Sequence, residues 1–192
     1  MIFLVLGLVL FLGVHSTRIF AENWRARQIS RLGEGAWKGL CSVASIAGFA
    51  LLVWGYGQTR LDPVLVWNPP IWTRHLAALL MIPSFVFLAA AYVPGNRIKA
   101  AVGHPMVLGV KVWAIAHLLS NGRVGDIVLF GAFLVWAVLD FSASRRRDRA
   151  EGRRYAVAGA SRSIIAIAAG LVVYGVFAAV LHLRLIGVSP FG

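Results

Sequence analysis

Five histidines, His15, His75, His104, His117 and His182, and one lysine, Lys111, lie within or at the ends of long apolar runs. A neutral imidazole can be buried without charge and is the commonest protein ligand for a metal or a heme iron. Ionisable side chains at membrane depth are costly, so they usually face a bundle interior and mark a site. Gly103 to Gly122 holds three of these residues, His104, Lys111 and His117, in one apolar stretch. Lys111 could serve as counter-charge to a propionate, carboxylate or phosphate. Equally, it could snorkel, or pair with Asp126 or Asp140. A histidine at a helix end is also often a plain interfacial residue, so each is weak as a signal alone.

Helix geometry restricts how these side chains combine. His104 and His117 are separated by about 20 Å of helical rise and point about 140° apart, so they cannot share one iron. A bis-histidine site must therefore take its second ligand from another helix. Lys111 lies one heptad from His104, on the same face. Ideal spans put His15 and His104 toward one half of the bilayer and His75, His117 and His182 toward the other. His15 and His117 then differ in depth by about 10 Å. On depth alone His75 pairs more easily with His117, so His75 stays open as a substitute for His15.

The elements that must position these residues are apolar helices. The chain has 192 residues, 59% hydrophobic and 14% charged, with a mean hydropathy of +0.79. That composition belongs to the integral membrane class. The predicted fold is all-α, a single polytopic membrane domain over residues 1–192. Its bundle has about six transmembrane helices, at roughly 2–20, 36–57, 73–93, 105–121, 124–142 and 162–187. The fourth is short, and Asn121-Gly122-Arg123 reads as a tight turn that makes a hairpin with the fifth. The first run has no basic n-region and no small-residue cleavage site, and is read as a retained helix.

The formal charge of +12 does not point to nucleic acid, because the basic residues sit between apolar segments and no soluble domain carries them. Most cluster at 18–38, at Arg97 and Lys99, and at 145–162. Short basic connectors stay cytoplasmic, so both termini are predicted on the opposite, periplasmic side. Cys41 is the only cysteine, which excludes an intrachain disulfide and a thiolate metal cage. Gly48 and Gly55, and Ala166 with Gly170, are small residues that let helices pack closely. The segment 62–70 is too rich in proline for a helix and reads as an exposed connector.

The run from Gly103-His104-Pro105 through Trp113-Ala114-Ile115-Ala116-His117 to Ser120-Asn121-Gly122 resembles the signature of the NnrU family of bacterial membrane proteins. So do Gly13-Val14-His15-Ser16-Thr17-Arg18, Arg74-His75-Leu76-Ala77, Ala91-Tyr92-Val93-Pro94-Gly95 and Trp136-Ala137-Val138-Leu139-Asp140. The resemblance implies an inner-membrane protein associated with denitrification, in particular with nitrite and nitric oxide metabolism. The family is similar to the zeta-carotene isomerases of plants, which hold heme b. By motif, that likeness places axial ligands on His15, from the His-Ser element, and His117, from the Ala-His element. The isomerases' exchangeable cysteine, three residues before the second histidine, corresponds here to Ala114, so their ligand switch is missing. His104-Pro105 also resembles part of the Arg-His-Pro motif of isoprenylcysteine-type membrane methyltransferases, with Gly103 in place of the arginine.

The leading expectation is a b-type membrane hemoprotein with a redox or sensing role. His15 and His117 are its iron ligands, His75, His104 and Lys111 are further candidates around the cofactor, and nitric oxide or a small apolar molecule is a possible ligand. One alternative is a membrane enzyme, isomerase or methyltransferase-like, acting on a lipid-soluble substrate at His104 and Lys111. Another is a non-catalytic assembly factor for denitrification proteins. Proton-coupled transport is disfavoured, because Asp126 and Asp140 lie only near span ends. Membrane lipid is the one partner common to all of these readings.

Overall fold

Apolar runs punctuated by glycine, proline and arginine become helices in the computed structural model, which describes residues 1–191. In chain order they are α1 (Ile2–Phe20), α2 (Glu22–Leu32), α3 (Glu34–Thr59), α4 (Trp72–Tyr92), α5 (Arg97–Val102), α6 (Pro105–Ser120), α7 (Val124–Ala150) and α8 (Ala160–Val176). A π-helical turn, Phe177–Leu181, then leads into α9 (His182–Ile186). No strand forms among the described residues, and Leu65 and Arg123 make an isolated antiparallel bridge. This is an all-α polytopic membrane protein. α1, α3, α4, α7 and the run Ala160–Ile186 are each long and apolar enough to cross a bilayer. α6 has 16 residues, about 24 Å of helix against a hydrocarbon core of about 30 Å, in keeping with the short fourth span.

Apart from the short helix α5, which Asn96 caps within the connector after α4, two boundaries differ from the sequence reading. The basic connector after α1 contains a helix, α2, because a stretch of good helix formers has Glu22 in its first turn and Arg31 in its last, matching the helix dipole. The other difference is in α7, which continues past residue 142 to Ala150. Arginine is a good helix former and nothing breaks the ladder before Gly152.

The chain forms two compact units. The first comprises Met1–Trp67 and Gly122–Asp140. Here α1 lies against α3 with backbones almost touching: a methyl group on Gly48 would meet the Phe11 nitrogen at 2.8 Å, and one on Gly55 or Gly7 would strike Leu4 or Leu52. Leu4, Leu8 and Leu52 are buried between them. The proline-rich connector stays exposed but is tied down. Val66 and Trp67 donate backbone hydrogen bonds to the Gly122 carbonyl, and Val124 donates to that of Val64. Tyr56 of α3 donates to the buried Asp126 carboxylate at 2.6 Å.

The second unit comprises Asn68–Asn121 and the chain from Phe141 onward. α4 packs on α6, where the Ser84 hydroxyl donates to the Gly109 carbonyl at 2.9 Å, and on α8, where Gly170 meets the Val86 backbone. Tyr174 of α8 donates to the Ala78 carbonyl at 2.9 Å, five residues before the helix-interior Pro83. Buried Asn96 caps α5, accepting from the Lys99 nitrogen and donating to the Ala90 carbonyl.

Candidate functional site

His15 sits in the last third of α1, in the first unit. Its Nδ1 is 2.7 Å from the Phe11 carbonyl oxygen, four residues back. A carbonyl can only accept, so Nδ1 carries the proton and the neutral ring keeps its lone pair on Nε2. Phe11 stacks against the ring at 4.4 Å and Trp136 meets it edge-on at 6.2 Å. The Trp136 Nε1 is buried and has no hydrogen-bond partner among the described residues. A buried indole N–H without an acceptor is uncommon and calls for one. His15 also lines an open groove of about 620 Å³ between α1, α2 and α3, whose walls include Arg25, Trp37, Lys38 and Cys41. Both cations already neighbour carboxylates, Arg25 that of Glu22 and Lys38 that of Glu34.

His117 belongs to the second unit, near the end of α6. It repeats the local arrangement of His15. Its Nδ1 lies 2.9 Å from the Trp113 carbonyl oxygen, four residues back, so Nε2 again holds the lone pair. Trp113 packs against the ring at 5.3 Å, and Asn121 donates to the His117 carbonyl. His182 has the same tautomer, with Nδ1 at 2.6 Å from the Val188 carbonyl. His75 is exposed in the first turn of α4.

His104 is different. It is the residue before α6, not a helical one. Proline at the first helical position excludes the helical conformation for its predecessor, and Gly103, at φ +77°, turns the chain there. A side chain at Gly103 would press on Arg145, Asp148 and Tyr155. The His104 Nε2 lies 2.8 Å from Asp148 Oδ2, and the Tyr155 hydroxyl donates to the same oxygen at 3.0 Å. Burial, and after it the Asp148 carboxylate, push the Tyr155 phenol above its ordinary range. Because Nε2 is committed to a carboxylate, His104 behaves as a hydrogen-bonded pair and is not presented as an iron ligand through that nitrogen. Lys111 lies over the Phe141 ring at 4.5 Å, and the His104 ring meets the same phenyl edge-on at 6.4 Å. The shared face of the two is thus realised on Phe141. Asp126, one suggested partner for Lys111, is bound by Tyr56.

Sequence reasoning missed Asp148, Tyr155 and Trp136. One available signal was Asp148 itself, the single acid within the run Arg145 to Arg149. An isolated carboxylate in such a run has repulsion to relieve and invites the question of its partner. Tyr155 carried no comparable mark, and Trp136 stood in a family-like motif without a role assigned to it.

A family model described as NnrU protein matches residues 3–190. No curated protein and no solved structure matches the chain.

Proposed function

The chain belongs to the NnrU family, and on that premise we propose that it is a b-type hemoprotein of the bacterial inner membrane, both termini periplasmic, serving nitrite and nitric oxide metabolism. The observation that carries this reading is the shared tautomer of His15 and His117. Each ring donates from Nδ1 to the carbonyl one turn back, the tautomer in which Nε2 carries no proton, as an iron ligand must be. Such a second hydrogen bond is what orients a ligating imidazole and raises its basicity. His182 has the same tautomer but lies outside the His-Ser and Ala-His elements that carry the family likeness.

Further support comes from the surroundings of His15. The Trp136 N–H beside the His15 ring lacks an acceptor, and Arg25 and Lys38, each next to a carboxylate, line the groove with His15. A porphyrin iron needs only one or two protein ligands, so it does not depend on a cluster of three metal-binding side chains, which the described residues do not form. When bound, heme would supply reversible one-electron chemistry and affinity for nitric oxide. The chain's own part is to hold both imidazoles in one tautomer on apolar helices.

The test is the visible spectrum of the detergent-purified protein, oxidised and dithionite-reduced, in wild type and in His15→Ala, His117→Ala and His182→Ala variants. Sharp reduced α and β bands present in wild type and His182→Ala, and lost in the other two, are expected. A wild-type protein that stays colourless after hemin is supplied sinks the reading. That result would favour an enzyme acting on a lipid-soluble substrate, for which the paired His104 and Asp148 offer an acid–base couple, or an assembly role.

A further inference from the structure

Where α7 ends, Arg145, Asp148, Arg149, Gly152, Arg153 and Arg154 line an open pocket of about 250 Å³. Four guanidinium groups meet one carboxylate there. That carboxylate is already occupied: Oδ2 is bound by His104 and Tyr155, and Oδ1 lies 3.9 Å from Arg153. Arg153 is further held by Glu151 at 2.8 Å. The guanidinium groups of Arg149 and Arg154 have no hydrogen bond or ion pair among the described residues. The pocket is shaped by the backbone: Gly152, at φ +59°, reverses the chain, and the Arg153 nitrogen donates to the Asp148 carbonyl at 2.8 Å. Arg153 and Arg154 are thereby returned toward the helix end.

Depth decides what such a pocket meets. α7 begins at Val124, and Arg145 comes about 32 Å along the helix, just past a hydrocarbon core of about 30 Å. A helix that crosses the bilayer from Val124 therefore delivers these arginines at the level of the lipid phosphates. Guanidinium forks match phosphate oxygens in geometry as well as charge. A concave excess of positive charge at that depth selects anionic headgroups.

We propose that this pocket binds the phosphodiester of an anionic membrane lipid, held chiefly by Arg149 and Arg154, with Asp148 kept out of the way by His104, Tyr155 and Arg153. The pocket is lined by neither iron-ligand candidate, and its test does not depend on heme. The full-length protein in a neutral maltoside detergent is melted with added phosphatidylglycerol, phosphatidylcholine or inorganic phosphate. Phosphatidylglycerol is expected to raise the melting temperature saturably and phosphatidylcholine not to. In Arg149→Gln/Arg154→Gln the midpoint concentration of phosphatidylglycerol rises at least about tenfold. In Arg27→Gln/Arg31→Gln, which removes equal charge from α2, it is unchanged.

Both pairs of side chains are exposed, so the variants fold, and the lipid comparison on wild type stands by itself. An equal loss in both double variants would reduce the effect to general charge attraction and overturn the proposal. Equal shifts with both lipids would do the same. A saturable response to inorganic phosphate alone would overturn the lipid assignment in favour of a free anion.

Discussion

Asp148 shows how much chemistry can gather on one carboxylate that a sequence marks only faintly. Its partners lie 44 residues before it and seven after it in the chain, spacings that no periodicity rule connects. The Tyr155 hydroxyl is a donor to Asp148 only while protonated, and its folded pKa is raised. Such a group contributes stability that is fully present below its unfolded pKa of about 10 and is lost as pH rises through the folded value. The difference in melting temperature between wild type and Tyr155→Phe should therefore be constant below about pH 10 and narrow above it. A gap that instead widened with pH would mean that the hydroxyl does not serve Asp148. At this scale the sequence made the identity of candidate ligands legible, because a histidine in an apolar run is conspicuous. It could not reveal which ring nitrogen carries the proton. That depends on a carbonyl one turn back for His15 and His117 and on a distant carboxylate for His104.

Between helices, the informative contacts are those made by residues with no side chain. Gly48 and Gly55 were legible as packing positions from their smallness, and Gly7 and Gly109 were not, although they meet Leu52 and the Ser84 carbonyl as closely. The approach is between backbones, which cannot move aside as a side chain can. Gly55→Ala should lower stability by at least about 1–3 kcal/mol, the usual cost of overpacking. Gly57→Ala, two residues on in the same helix with nothing within 4 Å, should be neutral or stabilise by about 0.5–1 kcal/mol through helix propensity. Thermal unfolding of the two variants in one detergent checks the contrast, and equal effects would remove close packing as the reason for Gly55. Element types followed directly from the length and hydropathy of the apolar runs. The additional helix α2 and the extension of α7 did not, since both are polar helices in connectors whose charge content looked like loop.

For the molecule in its bilayer, orientation rests on where Lys and Arg fall. On the proposed orientation the basic connectors at 18–38, 93–104 and 143–161 would lie in the cytoplasm and the proline-rich connector at 60–71 in the periplasm. Alkaline phosphatase, which folds only outside the cytoplasm, should be active when fused after residue 66 and inactive when fused after residue 152. The reverse pattern would invert the topology and, with it, the leaflet in which the arginine pocket meets lipid. By itself the sequence determined that this is an all-helical membrane protein of the NnrU family, because span length, hydropathy and family motifs are local properties of consecutive residues. Only the tertiary structure decided which polar groups satisfy one another. It put Tyr56 on Asp126, His104 and Tyr155 on Asp148, and Val66 and Trp67 on the turn at Gly122. In an apolar interior each buried donor must find an acceptor wherever the fold supplies one, and that choice is made in space, not along the chain.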